Sequence, residues 1–439
     1  MSATAPAVHA QDRVTPAGVE AAGPPARAPS AGSPVGVESA GSPAEARTDA
    51  MGGAAAGLPA ALRAALEQHP TMRAKRAAVA AKGYAIDTAR AQRLPTLSAQ
   101  ASATSAGDQP LALRARQPLW AFGRIDAGIA FAQVDLTVEQ TDLLRVQRQL
   151  VEQTATAYGR VRGVWMRLAV SEDNVRRLQD LLARIERRAA GELASVADVR
   201  LAQSRITQAL TVTERSRSEL VAAQDELLAL TQSAVAADLD VPAQTTDLPA
   251  AAQVEALALA HGADLAVRQR RIELARAEVE RERTAGLPTV FVQADRQFGQ
   301  GVRGPALSVT IEGALEGLGR GDRGRFEAAQ ARLEAAREDL RVARVELLRN
   351  VRAALNGRDL QQSLLRRQAS SLAGLEDLLA SYQRQYDAGT KSWLDVLNMQ
   401  RELADLRLQL ATAQGEWLVH SLRLAALTGQ LDPLGAPGP

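Results

Sequence analysis

The groups in this chain that could do chemistry are few, and their spacing decides what they can do. Gly319-Arg320-Gly321-Asp322-Arg323-Gly324 fits the GxGxxG pattern of a phosphate-cradling loop. A dinucleotide site also needs a second parallel strand about 20 residues on, ending in an acidic group. Here the residues that follow keep a helical pattern, so the glycines read as a turn into a helix. His9, His69, His261 and His420 show no metal-ligand spacing; His69 and His261 read as helix-end residues. No HExxH, GxSxG or Walker A pattern occurs. There is no cysteine for a disulfide, a thiol nucleophile or a diacylated N-terminal Cys. Asp198 and Asp395 on their own read as helix-surface charges. The chain is therefore expected to be no enzyme and to need no cofactor or metal.

Composition points the same way. The net charge of +2 gives no basis for bulk nucleic-acid binding. The basic residues are almost all Arg, with Lys only at Lys75, Lys82 and Lys391. Aromatics are 3% of the chain, so Leu, Ala and Val at helical spacing must do the burying. No apolar window is long enough for a membrane-spanning helix. Residues 1–57 are rich in Ala, Pro, Gly and Ser without apolar periodicity and read as disordered. Within them, Ala7-Val8-His9-Ala10 resembles a secretory cleavage site. It is either the end of a longer signal peptide or a chance match.

The elements that would position any site are written twice. Leu94-Pro95-Thr96 recurs as Leu287-Pro288-Thr289, His69 as His261, Ala132-Gln133 as Ala329-Gln330, and Asp198-Val199 with Gln203 as Asp395-Val396 with Gln400. The spacings run from 192 to 197 in constant order, which makes this a tandem duplication and not a solenoid array. Copy one is assigned to 58–238 and copy two to 239–430, with the linker around Pro242 and Pro249 and a flexible tail at 431–439. Each copy reads as one helix (about 58–92 and 250–285), two short strands, and a long helical hairpin. Gly191 and Gly389 are the expected hairpin turns.

The hairpins carry a 3.5-residue seam. It visits Leu150, Thr154, Ala157, Val161, Val164, Leu168, Ser171, Val175, Leu178, Leu182, Ile185 and Ala189 in copy one. Copy two shows Leu372, Leu375, Leu379, Tyr382 and Tyr386, then Leu403, Leu406, Leu410, Ala413, Trp417, His420, Leu424 and Leu427. Such a period means coiled-coil packing. The strands alternate instead. Leu97, Ala99, Ala101 and Ala103 oppose Ser98, Gln100, Ser102 and Thr104; after a turn at Gly107-Asp108, Leu111, Leu113 and Ala115 oppose Arg114 and Arg116. In copy two Val290, Val292 and Ala294 oppose Phe291 and Gln293, and Leu307, Val309 and Ile311 oppose Ser308, Thr310 and Glu312. This pattern suits a membrane β-barrel, or else surface hairpins on a helical protein. Four strands cannot close a barrel, and open edges are not viable in lipid, so several chains would have to share one. Trp120, Phe122 and Phe298 are either interfacial anchors or junction packing.

On these residues the chain resembles the TolC-type outer-membrane efflux protein family, over about 58–430. The resemblance rests on the duplication, on the Leu-Pro at the first helix-to-strand junction, and on Pro118-Leu119-Trp120 with Gly123-Arg124. Its most specific part is Tyr386-Asp387-Ala388-Gly389-Thr390-Lys391-Ser392-Trp393-Leu394-Asp395-Val396-Leu397-Asn398. It implies a mainly α fold with a small β part: duplicated antiparallel coiled-coil helices, plus four strands per chain in a twelve-stranded barrel shared by a homotrimer. The site it implies is the periplasmic tip, where a Tyr, an Arg and two Asp close the tunnel or form its selectivity ring. Tyr386 and Asp395 match, Lys391 stands for the Arg, Asn398 stands for the second Asp, and Asp198 belongs to the copy-one tip. Lys lacks the bidentate fork of Arg, so the closing network is expected to be wired differently. The implied location is a Gram-negative outer membrane with a long periplasmic extension. The implied function is passive export, foremost of proteins in type I secretion, with a periplasmic adaptor (a membrane fusion protein) and an inner-membrane ABC transporter. The alternatives are the outer-membrane duct of a proton-driven multidrug efflux pump and, in a different class, a soluble coiled-coil scaffold.

Overall fold

The structure is a computed structural model; it describes residues 57–101, 111–235, 245–298, 304–314 and 317–435. The expected disorder of 1–56, the turn at Gly107-Asp108 and most of the tail lie outside these residues, as does Pro242.

The elements are α1 (Leu58–Gln68), α2 (Pro70–Ala91), β1 (Thr96–Ala101), β2 (Leu111–Trp120), α3 (Arg124–Ala190) and α4 (Val196–Thr231), then α5 (Ala251–His261), α6 (Ala263–Ala285), β3 (Thr289–Phe298), β4 (Ala306–Glu312), α7 (Arg320–Asp387), α8 (Trp393–Leu427) and α9 (Asp432–Gly435). The order repeats copy by copy. One detail differs from the expectation: the single first helix of each copy is two. Pro70 has no N–H to donate and restricts His69 to extended backbone, so His69 ends α1. The same ring then caps α2, its Nδ1 accepting the Thr71 N–H at 3.2 Å. In copy two Gly262 breaks the helix at the matching place.

α3 and α7 have 67 and 68 residues, each about 100 Å long at 1.5 Å per residue. Such lengths are far beyond an ordinary globular helix and need partners along the whole axis. α3 packs on α2 and α6 toward the sheet, and on α4 and α8 toward the other end; α7 packs on α6 and α8. The seam is what they bury. Leu150, Thr154, Ala157, Val161, Val164, Ser171, Val175, Leu178 and Ile185 are all buried. One core lies around Leu58, Leu62, Tyr158, Val161, Leu422 and Leu431, and a second around Val175, Ile185, Trp393, Val396 and Leu403. Two of the three lysines tie α2 to α3: Lys75 to Asp142 at 2.5 Å and Glu139 at 3.0 Å, and Lys82 to Asp135 at 2.6 Å.

α3 and α8 cross at Gly163 and Gly415, backbone against backbone. A Cβ on Gly415 would stand 2.7 Å from the Gly163 Cα. α7 and α8 meet at Gly357 through a side chain: a Cβ there would lie 2.6 Å from His420 Nε2. Burial holds the His420 imidazole below its usual pKa; Glu416 pulls it up and Arg423 pushes it down again. Because the folded state prefers the neutral ring, this contribution to stability is full above the usual imidazole range, about 6.5, and is lost as pH falls below it. We expect the thermal midpoint to drop on acidification through that range, and His420→Gln to flatten that part of the profile in a melting series.

The four strands form one antiparallel sheet in the order β1-β2-β3-β4, so the two copies join at β2–β3. Opposed residues share a face. One face carries Ser98, Arg114, Arg116, Gln293, Asp295 and Thr310. On it Arg114 pairs with Asp295 at 2.7 Å and Arg116 with Glu312 at 2.5 Å, both across the copies. The other face is mainly apolar, with Gln117 and Arg296 also on it, and its outer strands are uncovered: Leu97 is 75% exposed, Leu307 78% and Val309 71%. Among the described residues β1 and β4 are free edges.

Candidate functional site at the helical tip

The two hairpin turns, far along the long helices from the sheet, share one local design. Each new helix begins at a serine whose hydroxyl accepts from the backbone N–H three residues on, while the carboxylate there accepts back. Ser195 and Asp198 do this for α4, Ser392 and Asp395 for α8. Asp198 Oδ2 lies 3.2 Å from the Ser195 N and 2.9 Å from its Oγ. Asp395 Oδ2 lies 3.2 Å from the Ser392 N and 2.8 Å from its Oγ. The Ser392 hydroxyl, then its N–H, then the charge of Lys391 hold the Asp395 carboxyl below the usual carboxylate range. Asp395 thus stays anionic, and both aspartates hold their helices in place. The Ser-x-x-Asp spacing is a legible helix-start signal that the sequence reading passed over.

Each preceding helix ends in a left-handed residue, with the next N–H reaching back five residues: Leu193 N to Arg188 O at 2.8 Å, and Thr390 N to Gln385 O at 2.9 Å. In copy two the left-handed residue is Gly389 (φ 78°). In copy one it is Glu192 (φ 61°), and Gly191 before it has φ −93°. Gly191 stands seven residues before Asp198 whereas Gly389 stands six before Asp395; aligning Glu192 with Gly389 brings the two tips into one register. A residue with a Cβ pays about 1–2 kcal/mol in that conformation. Glu192→Gly is therefore expected to raise stability by about 1 kcal/mol, read as a higher melting midpoint.

Aromatic packing fills the space between the turns. Tyr386 packs against Trp393 with the rings tilted, centroids 5.3 Å apart, and Trp393 is 4% exposed. The Arg188 guanidinium, from copy one, stands 4.6 Å over the Tyr386 ring and also reaches Asp387 at 3.8 Å. Lys391 Nζ stands 4.5 Å over the ring of Tyr382. Burial pushes the Tyr386 phenol up; Arg188 opposes this, and Asp198 and Asp387 add to it. Tyr386, Lys391 and Asp395 thus share one turn, with Asp198 in the neighbouring turn near enough to act on Tyr386. Asn398 is exposed on α8, beyond Asp395. Arg188 and Trp393 were not singled out from the sequence: Arg188 is one of many helix arginines, and only the fold sets it over Tyr386.

The other candidates fall outside this site. Gly319 is left-handed and starts α7, while Gly321 and Gly324 lie inside that helix. His261 Nε2 lies 3.2 Å from Asp432. Among the described residues no group of His, Asp and Glu is placed to hold a metal, and no helix is long and apolar enough to cross a membrane.

The sequence matches the family model described as outer membrane efflux protein over residues 61–233 and 255–430. It is 25% identical over 273 residues to the proteases secretion protein PrtF of Dickeya chrysanthemi, covering 56% of each chain. The chain thus spans little more than half the length of that relative. Its fold is similar to that of the outer membrane protein VceC of Vibrio cholerae, with TM-score 0.70 and 19% identity over 85% of this chain and 96% of the other. It is also similar to the open state of the Neisseria gonorrhoeae MtrE outer membrane channel, with TM-score 0.70 and 18% identity over 85% and 88%.

Proposed function

Because this chain belongs to the outer membrane efflux protein family, we propose that it is a passive duct through the outer membrane of a Gram-negative cell, exporting proteins as the last component of a type I secretion system. The observation that carries this is the sheet. It has one polar face, one uncovered apolar face and two free edges, and it continues into helices about 100 Å long. A scaffold in water has no use for that apolar face. In lipid the free edges must be paired. Three copies would join β4 of one to β1 of the next and close twelve strands, within the range of known barrels. Arg114, Arg116, Asp295 and Glu312 then line the lumen. The helices extend into the periplasm, where an adaptor and an inner-membrane transporter engage the tip and supply the energy. The similarity to a protease secretion protein favours protein cargo. The family's description supports the second reading, a drug-efflux duct fed by a proton-driven pump.

The repeats at 58–238 and 239–430 are proposed as the two halves of this duct. Tyr386, Lys391, Asp395, Asn398 and Asp198 are proposed as the tip residues that close it or select ions, with Gly191 and Gly389 in the turns that carry them. The native mass of the protein in mild detergent should be that of three chains; a membrane-embedded monomer overturns the shared barrel. Deleting the gene and following both exported protein and drug susceptibility separates the two cargo readings.

A further inference from the structure

Toward the sheet, α3 is flanked on both sides, by α2 and by α6, whereas α7 has α6 on one side and the corresponding second flank bare. α2 also has a bare flank. Met72, Lys75 and Lys82 face α3, and Tyr84, on the opposite side of the helix, is 73% exposed. On the bare flank of α7, Val342 and Val345 are 55% and 67% exposed. Because the copies repeat, the joint that these two bare flanks would make is the counterpart of the joint already made by α3 and α6.

The closed joint sets the geometry. α3 and α6 run antiparallel, with Gly123 beside Thr284 at one end and Arg148 donating to the His261 carbonyl at the other. Counting inward from these two contacts puts Phe131 level with Ala277, one turn from Arg281, whose guanidinium lies 4.1 Å over the Phe131 ring. The large residue is thus on α3 and the small one on α6. The repeat spacings, 193 at the strand junction and 197 along the long helix, carry Ala277 back to Tyr84 and Phe131 forward to Ala328. Val134 and Val138 go to Ala331 and Ala335, and all three alanines are exposed. Between α7 and α2 the large residue is therefore on α2, and α7 is cut back to alanine. About three turns away the exposed Arg73 of α2 comes level with Glu338 of α7, so the charges agree as well.

We propose that Tyr84 of one chain fills the recess that Ala328, Ala331 and Ala335 leave on α7 of the next, closing between chains the joint that Phe131 fills within one. Moving the bulky residue to the opposite helix makes the two joints non-interchangeable. With α2 in the place of α6 against α3, Tyr84 would meet Phe131 and overpack; with α6 in the place of α2 against α7, Ala277 would meet Ala328 and leave a void. Both wrong pairings are penalised, so the copies alternate round the ring and its ends join in order.

The proposal rests on the shared-barrel reading, and its test separates the two. The chain has no cysteine, so Tyr84→Cys with Ala328→Cys introduces a single pair. Within one chain α3 and α6 stand between these positions, so any link joins two chains. Oxidation in mild detergent should give covalent dimers and trimers on a non-reducing gel, whereas Tyr84→Cys with Val345→Cys, on the same flank but far out of register, should give none. A native mass of three chains without the 84–328 link, or with an 84–345 link as strong, overturns the contact and leaves the barrel standing. A native mass of one chain overturns both. The size exchange has its own test. Tyr84→Ala should raise the dissociated fraction at a given dilution about tenfold, the loss expected for a buried interface aromatic, with unchanged helix content. Ala328→Phe alone should also favour dissociation. Tyr84→Ala with Ala328→Phe recreates between chains the arrangement found within one, and should restore most of the trimer; a double variant that dissociates as readily as the worse single overturns the exchange.

Discussion

Gly415→Ala should destabilise the protein, against the sign expected for a glycine inside a helix. In an unobstructed helix the change from Gly to Ala stabilises by about 0.8–1 kcal/mol. Gly374 in α7 is such a position, with nothing near its would-be Cβ, so Gly374→Ala should raise the melting midpoint. At Gly415 the added carbon meets the Gly163 Cα at 2.7 Å, and at Gly163 it meets the Gly415 Cα at 2.8 Å. Both obstacles are backbone, so no side chain can rotate away and the helices must separate. Overpacking of a tight contact costs about 1–3 kcal/mol and sometimes more. The upper end applies here, because moving α8 from α3 also disturbs the core around Tyr158, Val161 and Leu422. The net loss for Gly415→Ala is about 2 kcal/mol after the helix gain is subtracted. Gly415→Leu should prevent the crossing from closing, and with it trimer assembly. Melting of detergent-solubilised trimers reads the two alanine variants, and the native mass in the same detergent reads Gly415→Leu. Equal gains at Gly374 and Gly415 would show that the crossing relaxes at no cost, and would remove this contact from the account of stability.

What was legible in the sequence follows from what kind of signal each feature leaves. The seam from Leu150 to Ile185 and the alternation along β2 and β4 are periodic, so they survive as patterns over many residues, and the structure buries and faces those residues accordingly. The duplication supplied the element order. Features set by one residue were harder. Glutamate at position 192 hides a left-handed turn that Gly389 announces in the other copy, and residue type alone points to Gly191 as its partner. The break at His69-Pro70 was visible as a proline but was absorbed into one helix. Contacts between distant segments leave no local trace: Gly163 against Gly415, Arg188 over Tyr386, and the bulge between Pro118 and Trp120 all depend on how the copies pack.

At the tip, the capping geometry changes how the selectivity hypothesis must be tested. In the proposed trimer three-fold symmetry would bring three copies of Asp395 toward one axis, and rings of carboxylates favour cations. Yet Asp395→Ala would remove a charge and a helix cap together, because the same carboxylate accepts from Ser392. Asp395→Asn keeps an oxygen for the cap and loses the charge, whereas Ser392→Ala weakens the cap, costing about 1 kcal/mol, and keeps the charge. In a planar bilayer with a salt gradient, Asp395→Asn should lose much of the cation preference while assembling normally. Ser392→Ala should keep the preference in a less stable trimer. Because Asp395 titrates below the usual carboxylate range, wild-type selectivity should persist as pH falls through about 4 and disappear only at lower pH. Lys391→Ala with Tyr386→Phe acts on closure instead. It removes the cation over Tyr382, worth about 0.5–1 kcal/mol, and the Tyr386 hydroxyl, while the tilted Tyr386–Trp393 ring contact is kept. That pair should raise the conductance of the isolated trimer with little change in reversal potential. If Asp395→Asn leaves the reversal potential where it was, Asp395 is a capping residue alone. If the Tyr386 and Lys391 variant also conducts like the wild type, the tip assignment falls with it.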